Sequence, residues 1–184
     1  MGKIYEHLDE KIRDFLQAQH VFFVGTAPLA ADGHVNISPK GMDGFRVLGP
    51  KGVAYLDHPG SGIETVAHLR ENGRIVLMFC AFDGPPRIVR LYGRGRAIEP
   101  QDGDFSSLLA CFAPKLLPRS IIQVDLDRIA DSCGFGVPTY EYQGEREQLV
   151  AWANTKGLDL EAYQREKNAR SIDGLPGLRW VDEK

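Results

Sequence analysis

The stretch Arg74–Glu99 reads RIVLMFCAFDGPPRIVRLYGRGRAIE, and its pattern decides the architecture. Arg74 to Phe82 is apolar on both faces, as expected of a central strand in a covered or closed sheet. Asp83-Gly84-Pro85-Pro86 is a turn, and Arg87 to Glu99 returns as a long strand, so the two form an antiparallel hairpin. In the returning strand Arg90, Tyr92, Arg94 and Arg96 share one face and Val89 and Leu91 the other.

Working outward, Tyr5 to Gln19 carries Leu8, Ile12, Phe15 and Leu16, with Ile4 just before, at helical spacing among charged neighbours. A strand over Val21–Ala27 is ended by Pro28. Asp32-Gly33 marks a hairpin, and His34 to Lys40 is its returning strand. Two short strands fit Gly44–Leu48 and Gly52–Asp57, with Gly49-Pro50-Lys51 as their turn. A helix is predicted from Ser61 to Asn72, with Ser61 and Glu64 as a capping box and Gly73 as its stop. Asp104 should cap a short helix through Phe112, Ser120 to Ala130 is a strand, and the chain from Gly144 is helical, then irregular. Hairpins with inserted helices exclude the βαβ units of a doubly wound sheet and favour a small antiparallel barrel, which leaves few exposed edges.

The composition agrees. A chain of 184 residues with 43% hydrophobic and 26% charged residues suits one soluble globular domain. The longest apolar stretch, Val21–Ala31, is broken by Gly25, Thr26 and Pro28, well short of the roughly 18 residues of a membrane helix. Glu6, Asp9 and Glu10 stand where a secretory leader would need a basic start and an apolar run. Cys80, Cys111 and Cys133 are too few and too scattered for a disulfide scaffold and suit a reducing, cytoplasmic setting. With a net charge of -3, from 22 basic and 25 acidic residues, the chain lacks the cationic excess of a nucleic-acid binder.

Three segments can carry chemistry. Along His34–Lys40, alternation puts His34, Asn36, Ser38 and Lys40 on one face, and Val35, Ile37 and Pro39 on a face expected to pack inward. The polar face suits an anionic ligand; the alternative is a solvated strand surface. Asp57-His58-Pro59-Gly60-Ser61-Gly62 leads into a helix start, whose free amides and dipole could seat a phosphate, with Ser61 and Thr65 adding hydroxyls; the alternative is a plain capped helix. The Arg90–Arg96 stripe could bind RNA, face solvent or form a subunit interface.

Other signals fall away. Glu64 and His68, one turn apart, read as a surface ion pair, and without a Cys-x-x-Cys or His-Glu-x-x-His motif no metal is expected. Gly93-Arg94-Gly95 lacks the rest of a dinucleotide fingerprint, and Cys80 is a small core residue. Trp152 belongs to a core-facing helix stripe, while Trp180 stands alone near the end.

Three blocks, in order and spacing, resemble the pyridoxamine 5′-phosphate oxidase-related family of FMN-binding split barrels. They are Asn36-Ile37-Ser38-Pro39-Lys40-Gly41; Gly60-Ser61-Gly62-Ile63-Glu64-Thr65 leading into Arg70-Glu71-Asn72-Gly73-Arg74; and Gly84-Pro85-Pro86-Arg87 entering a strand that ends Tyr92-Gly93-Arg94-Gly95. The similarity spans roughly residues 5–130, and Ser171–Leu178 resembles a tail found in some members. The resemblance implies a mainly β fold with flanking helices: a six-stranded antiparallel split barrel over residues 1–143, with residues 144–184 as a helical extension of the same unit. It implies a homodimer with FMN at the interface, and an oxidoreductase acting on a small molecule by hydride transfer at the flavin. Carried over by position, Asn36, Ser38 and Lys40 lie beside the flavin, with Lys40 as the catalytic candidate. Leu56 and Asp57 follow the ribityl chain, Ser61, Gly62, Ile63, Glu64 and Thr65 meet the phosphate, and Arg87 reaches in from the partner. Where that family has an Arg-Lys pair, Glu64 and Thr65 stand here. Two other uses of the same barrel stay open: a binding module for haem or another anionic planar ligand, with His34, His58 and His68 as candidate axial ligands, and a structural dimer.

Overall fold

Alternating burial organises the chain into one antiparallel sheet. The computed structural model describes residues 2–155 and 158–182. Its elements are β1 (Ile4–Tyr5), α1 (Glu10–Gln17), β2 (Phe22–Thr26), β3 (Asn36–Lys40), β4 (Phe45–Gly49), β5 (Gly52–Asp57), α2 (Glu64–Asn72), β6 (Arg74–Cys80), β7 (Ile88–Ile98), α3 (Phe105–Leu109), β8 (Ser120–Ser132), α4 (Gln148–Ala153), α5 (Leu160–Lys167) and α6 (Arg179–Asp182). The strands run β3-β2-β6-β7-β8-β5-β4, with β1 added alongside β8. β3 and β4 are the two ends of this path, so the curled sheet stays open between them as a split barrel.

Among the described residues the sheet has eight strands, not six. Part of the difference is β1: the Asp131 carboxylate accepts from the Lys3 amide (2.8 Å) and the Tyr5 hydroxyl (2.6 Å) and draws Ile4–Tyr5 against β8. These residues are therefore lost to the first helix. That helix begins only at Glu10, because the Asp9 side chain accepts from Ile12 N at 2.8 Å and caps it there. The Asp32-Gly33 hairpin also differs. β2 and β3 pair, but through residues 27–35, whose amides at Leu29 and His34 bond to the Glu71 and Asp173 side chains instead of to each other.

β6 lies between β2 and β7 at the middle of the sheet, as its two-sided apolar pattern requires. In β5, Val53 and Tyr55 enter the main core with Leu77, Phe79, Leu91 and Val124, while Ala54 and Leu56 pack on the other face with Phe105, Phe112 and Ile121. α1 and the residue before its cap add Ile12, Leu16 and Leu8 to the main core. Gly93 stands at a register shift between β7 and β8, where any Cβ would collide with the Asp125 carbonyl. The stripe on β7 is satisfied locally: Arg90 bonds Ser132, Arg94 the Asn72 carbonyl, and Arg96 both Asp104 and Gln123.

Two helix starts differ from expectation. α2 begins at Glu64 with Ile63 as N-cap and no side-chain cap, so Ser61 and Glu64 form no capping box; Gly73, in the left-handed conformation at φ 69°, does end it. The Asp104 side chain likewise gives α3 no cap, being held by Arg96. Among the described residues no helix is long and apolar enough to cross a membrane.

The C-terminal extension, of which residues 156–157 and 183–184 lie outside the described residues, packs back on the barrel. Leu178 is fully buried in the main core, and Trp180, half-buried, packs against that core under Arg165. The buried Glu99 carboxylate accepts from the Arg179 amide (2.9 Å) and guanidinium (3.1 Å). Trp180 is thus part of the fold, not isolated. Leu178→Ala should lower the urea-unfolding free energy by about 2–4 kcal/mol in a single transition. A loss below about 0.5 kcal/mol, the size of a surface change, would mean that the tail is not part of the cooperative unit.

Candidate functional site

β3 is an edge strand whose polar face turns toward β5 and α2. Its register with β2 sets Lys40 opposite Phe22, Ser38 opposite Val24 and Asn36 opposite Thr26. This inverts the expected packing. Val35 and Ile37 are each 71% exposed and Pro39 is exposed, whereas Asn36, Ser38 and Lys40 are half-buried. Hydrogen-bond partners decide the orientation, since Asn36, Ser38 and Lys40 each find one on the inward face.

Asn36 uses both amide hydrogens, donating to Thr26 Oγ1 (3.2 Å) and Thr65 Oγ1 (3.0 Å), and its Oδ1 accepts from Ser38 Oγ at 3.0 Å. Thr26 Oγ1 lies 2.9 Å from His68 Nδ1. Burial holds the His68 pKa below its usual value, so the ring is neutral and can accept the Thr26 hydroxyl hydrogen. His68 is fully buried, which replaces the expected surface pair with Glu64.

Lys40 Nζ lies 3.0 Å from Asp57 Oδ1, at the end of β5. Asp57 has no exposed surface, and its other oxygen accepts from Arg119 Nε (2.8 Å) and Ser120 Oγ (3.2 Å). Arg119 Nη1 also donates to the Gly60 carbonyl at 2.9 Å, and Asn168 Nδ2 reaches the same oxygen at 2.9 Å. Burial alone would raise the Asp57 pKa. The charges of Arg119 and Lys40, with their hydrogen bonds, outweigh it and hold the carboxyl well below the usual carboxylate range. One anion thus fixes two cations.

These groups border a cleft of about 350 Å³. Of the expected site residues, Ser38, Lys40, Leu56, Gly62, Glu64 and Thr65 line it. Asn36 and Asp57 stand directly behind the lining and position it. Two others are not brought in: Ser61 is exposed outside the lining, and Ile63 is buried in the core beneath α2. Arg87, expected to reach in from a partner chain, is paired within its own chain with Asp131 at 3.2 Å, beside the Phe15 ring. Sequence reasoning missed Arg119 as a lining residue. Its neighbour Ser120 pairs with Asp57 only through the β5–β8 register, which no local pattern reveals. His58 lines the cleft with both ring nitrogens buried and without a partner among the described residues, and desolvation lowers its pKa. Of the other candidate axial ligands, His68 is enclosed, and His34 is exposed with Nδ1 2.6 Å from Asp173.

Residues 8–133 match the family model described as pyridoxamine 5′-phosphate oxidase. A curated relative, the pyridoxamine 5′-phosphate oxidase family protein ustO of Aspergillus flavus, is 40% identical over 97% of this chain and 78% of its own length. Among solved structures, HupZ from Group A Streptococcus superposes with a TM-score of 0.52 at 18% identity, over 66% of this chain and 90% of that one. A Lactobacillus delbrueckii structure named for pyridoxamine 5′-phosphate oxidase does so at 0.52 and 19% identity, over 69% and 98%. The two structural likenesses speak to the fold.

Asp57→Asn should cost about 3–5 kcal/mol at pH 7 in urea unfolding, because Arg119 then stays buried without its counter-charge. The folded pKa of Asp57 is depressed, so its stabilisation is fully present above the unfolded carboxylate range, near ~4, and is lost as pH falls through the lower folded value. The gap between wild type and Asp57→Asn should therefore hold from about pH 7 to 5 and narrow below about pH 4. A gap independent of pH would show that the carboxylate charge is not what stabilises the site.

Proposed function

The chain belongs to the pyridoxamine 5′-phosphate oxidase family, and on that premise we propose that it is a flavin-dependent oxidoreductase of the cytoplasm. FMN is the flavin that the family resemblance implies. The observation that carries this reading is the Lys40 ammonium, anchored by the buried Asp57 beside Ser38 and the first turn of α2 in one cleft. Among the described residues Lys40 makes one hydrogen bond, which leaves two of its three donors for a ligand.

The lining fits a planar ring with polar edges. Leu56 offers an apolar wall, Ser38 and Thr65 offer hydroxyls whose orientation Asn36 holds, and Lys40 brings a cation. A bound flavin would supply the hydride chemistry. The chain's part is to bind, orient and balance charge. Lys40 would stabilise negative charge that develops on reduction or orient an anionic substrate, and Asp57 would keep the ammonium from swinging into solvent.

We further propose that the chain forms a homodimer through the outer face of β3, where Val35 and Ile37 leave apolar surface bare on a sheet edge. Cys111 and Cys133, exposed and unbridged, are consistent with a reducing compartment.

The purified protein should show flavin bands in its visible spectrum that pass into the supernatant after heat denaturation. Lys40→Ala should weaken flavin binding about tenfold or lower the flavin midpoint potential by about 30 mV, the two-electron equivalent of ~1.4 kcal/mol. A protein that stays colourless and is not stabilised against heat by added flavin would sink the proposal, as would a Lys40→Ala variant unchanged in affinity and potential.

Light scattering should give twice the monomer mass in solution. Combining Val35→Asp with Ile37→Asp should give a folded monomer, and a monomeric wild type would refute the dimer.

A further inference from the structure

Charges of both signs line the cleft. Lys40 and Arg119 share the single carboxylate of Asp57, which leaves a net cation, and Arg119 also bonds the Gly60 carbonyl in the loop before α2. At the start of α2 stands Glu64, its first residue, whose carboxylate bends back over Gly62: Oε2 lies 2.6 Å from where a Gly62 Cβ would be. Among the described lining residues Lys40 and Arg119 are the only Lys or Arg side chains, and both are paired with Asp57. The start of α2, whose free amides favour an anion, therefore brings a carboxylate of its own to the cleft.

The C-terminal tail holds that carboxylate in place. The Ile172 amide donates to Glu64 Oε1 at 3.4 Å. Ile172 is fixed in turn by the Ser171–Leu175 turn (Ser171 N to Leu175 O, 2.9 Å), by Asp173 against His34, and by Arg70, which bonds the Gly177 carbonyl.

We propose that Glu64 makes the cleft select a flavin with an uncharged polyhydroxyl side chain, riboflavin, against one that ends in a phosphate. The proposal rests on the flavin reading above and replaces the phosphorylated form implied by resemblance. Side-chain hydroxyls can donate to the Glu64 carboxylate, whereas a phosphate carrying about −1.5 to −2 charges at pH 7 would meet a like charge. A carboxylate at α2's start thus rewards the neutral terminus and penalises the anionic one, and Glu64 is the specificity-determining residue.

The test uses the full chain freed of any chromophore, titrated with riboflavin and with FMN by quenching of flavin fluorescence at low salt. Riboflavin should bind at least about tenfold tighter than FMN. Raising NaCl to about 0.5 M should narrow that gap, because screening weakens the repulsion. Glu64→Gln keeps the side-chain shape and an acceptor for the Ile172 amide. It should tighten FMN about tenfold and leave riboflavin within about threefold, with an unchanged melting temperature. Tighter binding of FMN than riboflavin by the wild type would overturn the inference alone, as would an FMN affinity that Glu64→Gln does not move. Failure of both flavins to bind would overturn it together with the flavin reading.

Discussion

Asp57 holds together parts of the barrel that the hydrogen-bonded ladder leaves apart. Lys40 comes from β3 at one end of the strand path, Asp57 from β5 beside the other, and Arg119 from the segment entering β8. Among the described residues no backbone pairing joins β3 to β5, so the ion pair crosses the split. A carboxylate without exposed surface is expensive to bury, and here its two cations and the Ser120 hydroxyl offset that cost. Arg119 carries the constraint further by bonding the Gly60 carbonyl, so the loop that opens into α2 is fixed to the same group. Lys40, Arg119 and the Gly60 loop of the cleft wall are thus all tied to this one carboxylate, while Ser38 and Thr65 are held separately through Asn36.

The inversion of β3 follows from the same constraint. Period-two alternation sorted its side chains into two faces correctly, but polarity alone assigned the wrong one to the interior. The usual rule places Val35 and Ile37 inside. It fails because the inner neighbours of this strand are Thr26, Thr65 and Asp57, which offer hydrogen bonds and charge, not apolar contact. Strands with apolar neighbours on both sides, such as β5 and β6, were legible in the sequence, and so were the β6–β7 turn and the Gly73 stop. What stayed hidden depends on long-range register or on the tail. Arg119 is set against Asp57 only by β5–β8 pairing, and Asn168 reaches Gly60 from the far end of the chain. The capping box failed for a related reason: Glu64 has a partner in Ile172 that local spacing cannot anticipate.

The tail is therefore part of the site as well as of the core. Leu178 and the Glu99–Arg179 pair anchor its end, while Asn168, Ile172 and Asp173 touch the loop before α2, the first residue of α2 and the approach to β3. An extension lying beyond the family-matched residues 8–133 thus supplies contacts both to the core and to the loop and helix start that border the cleft.

Fold, assembly and chemistry meet on one strand. To present Asn36, Ser38 and Lys40 to the cleft, β3 must turn Val35 and Ile37 outward, and an apolar face on a sheet edge invites a partner. A more polar outer face would make the edge safe in a monomer but would remove the apolar surface on which the proposed dimer rests. An apolar inner face would bury the strand conventionally but strip the cleft of its cation and its oriented hydroxyl. The choice is binary, because a one-residue slip exchanges the two faces completely. The Lys40–Asp57 bond selects the register that builds the cleft, and the exposed apolar face follows from that selection.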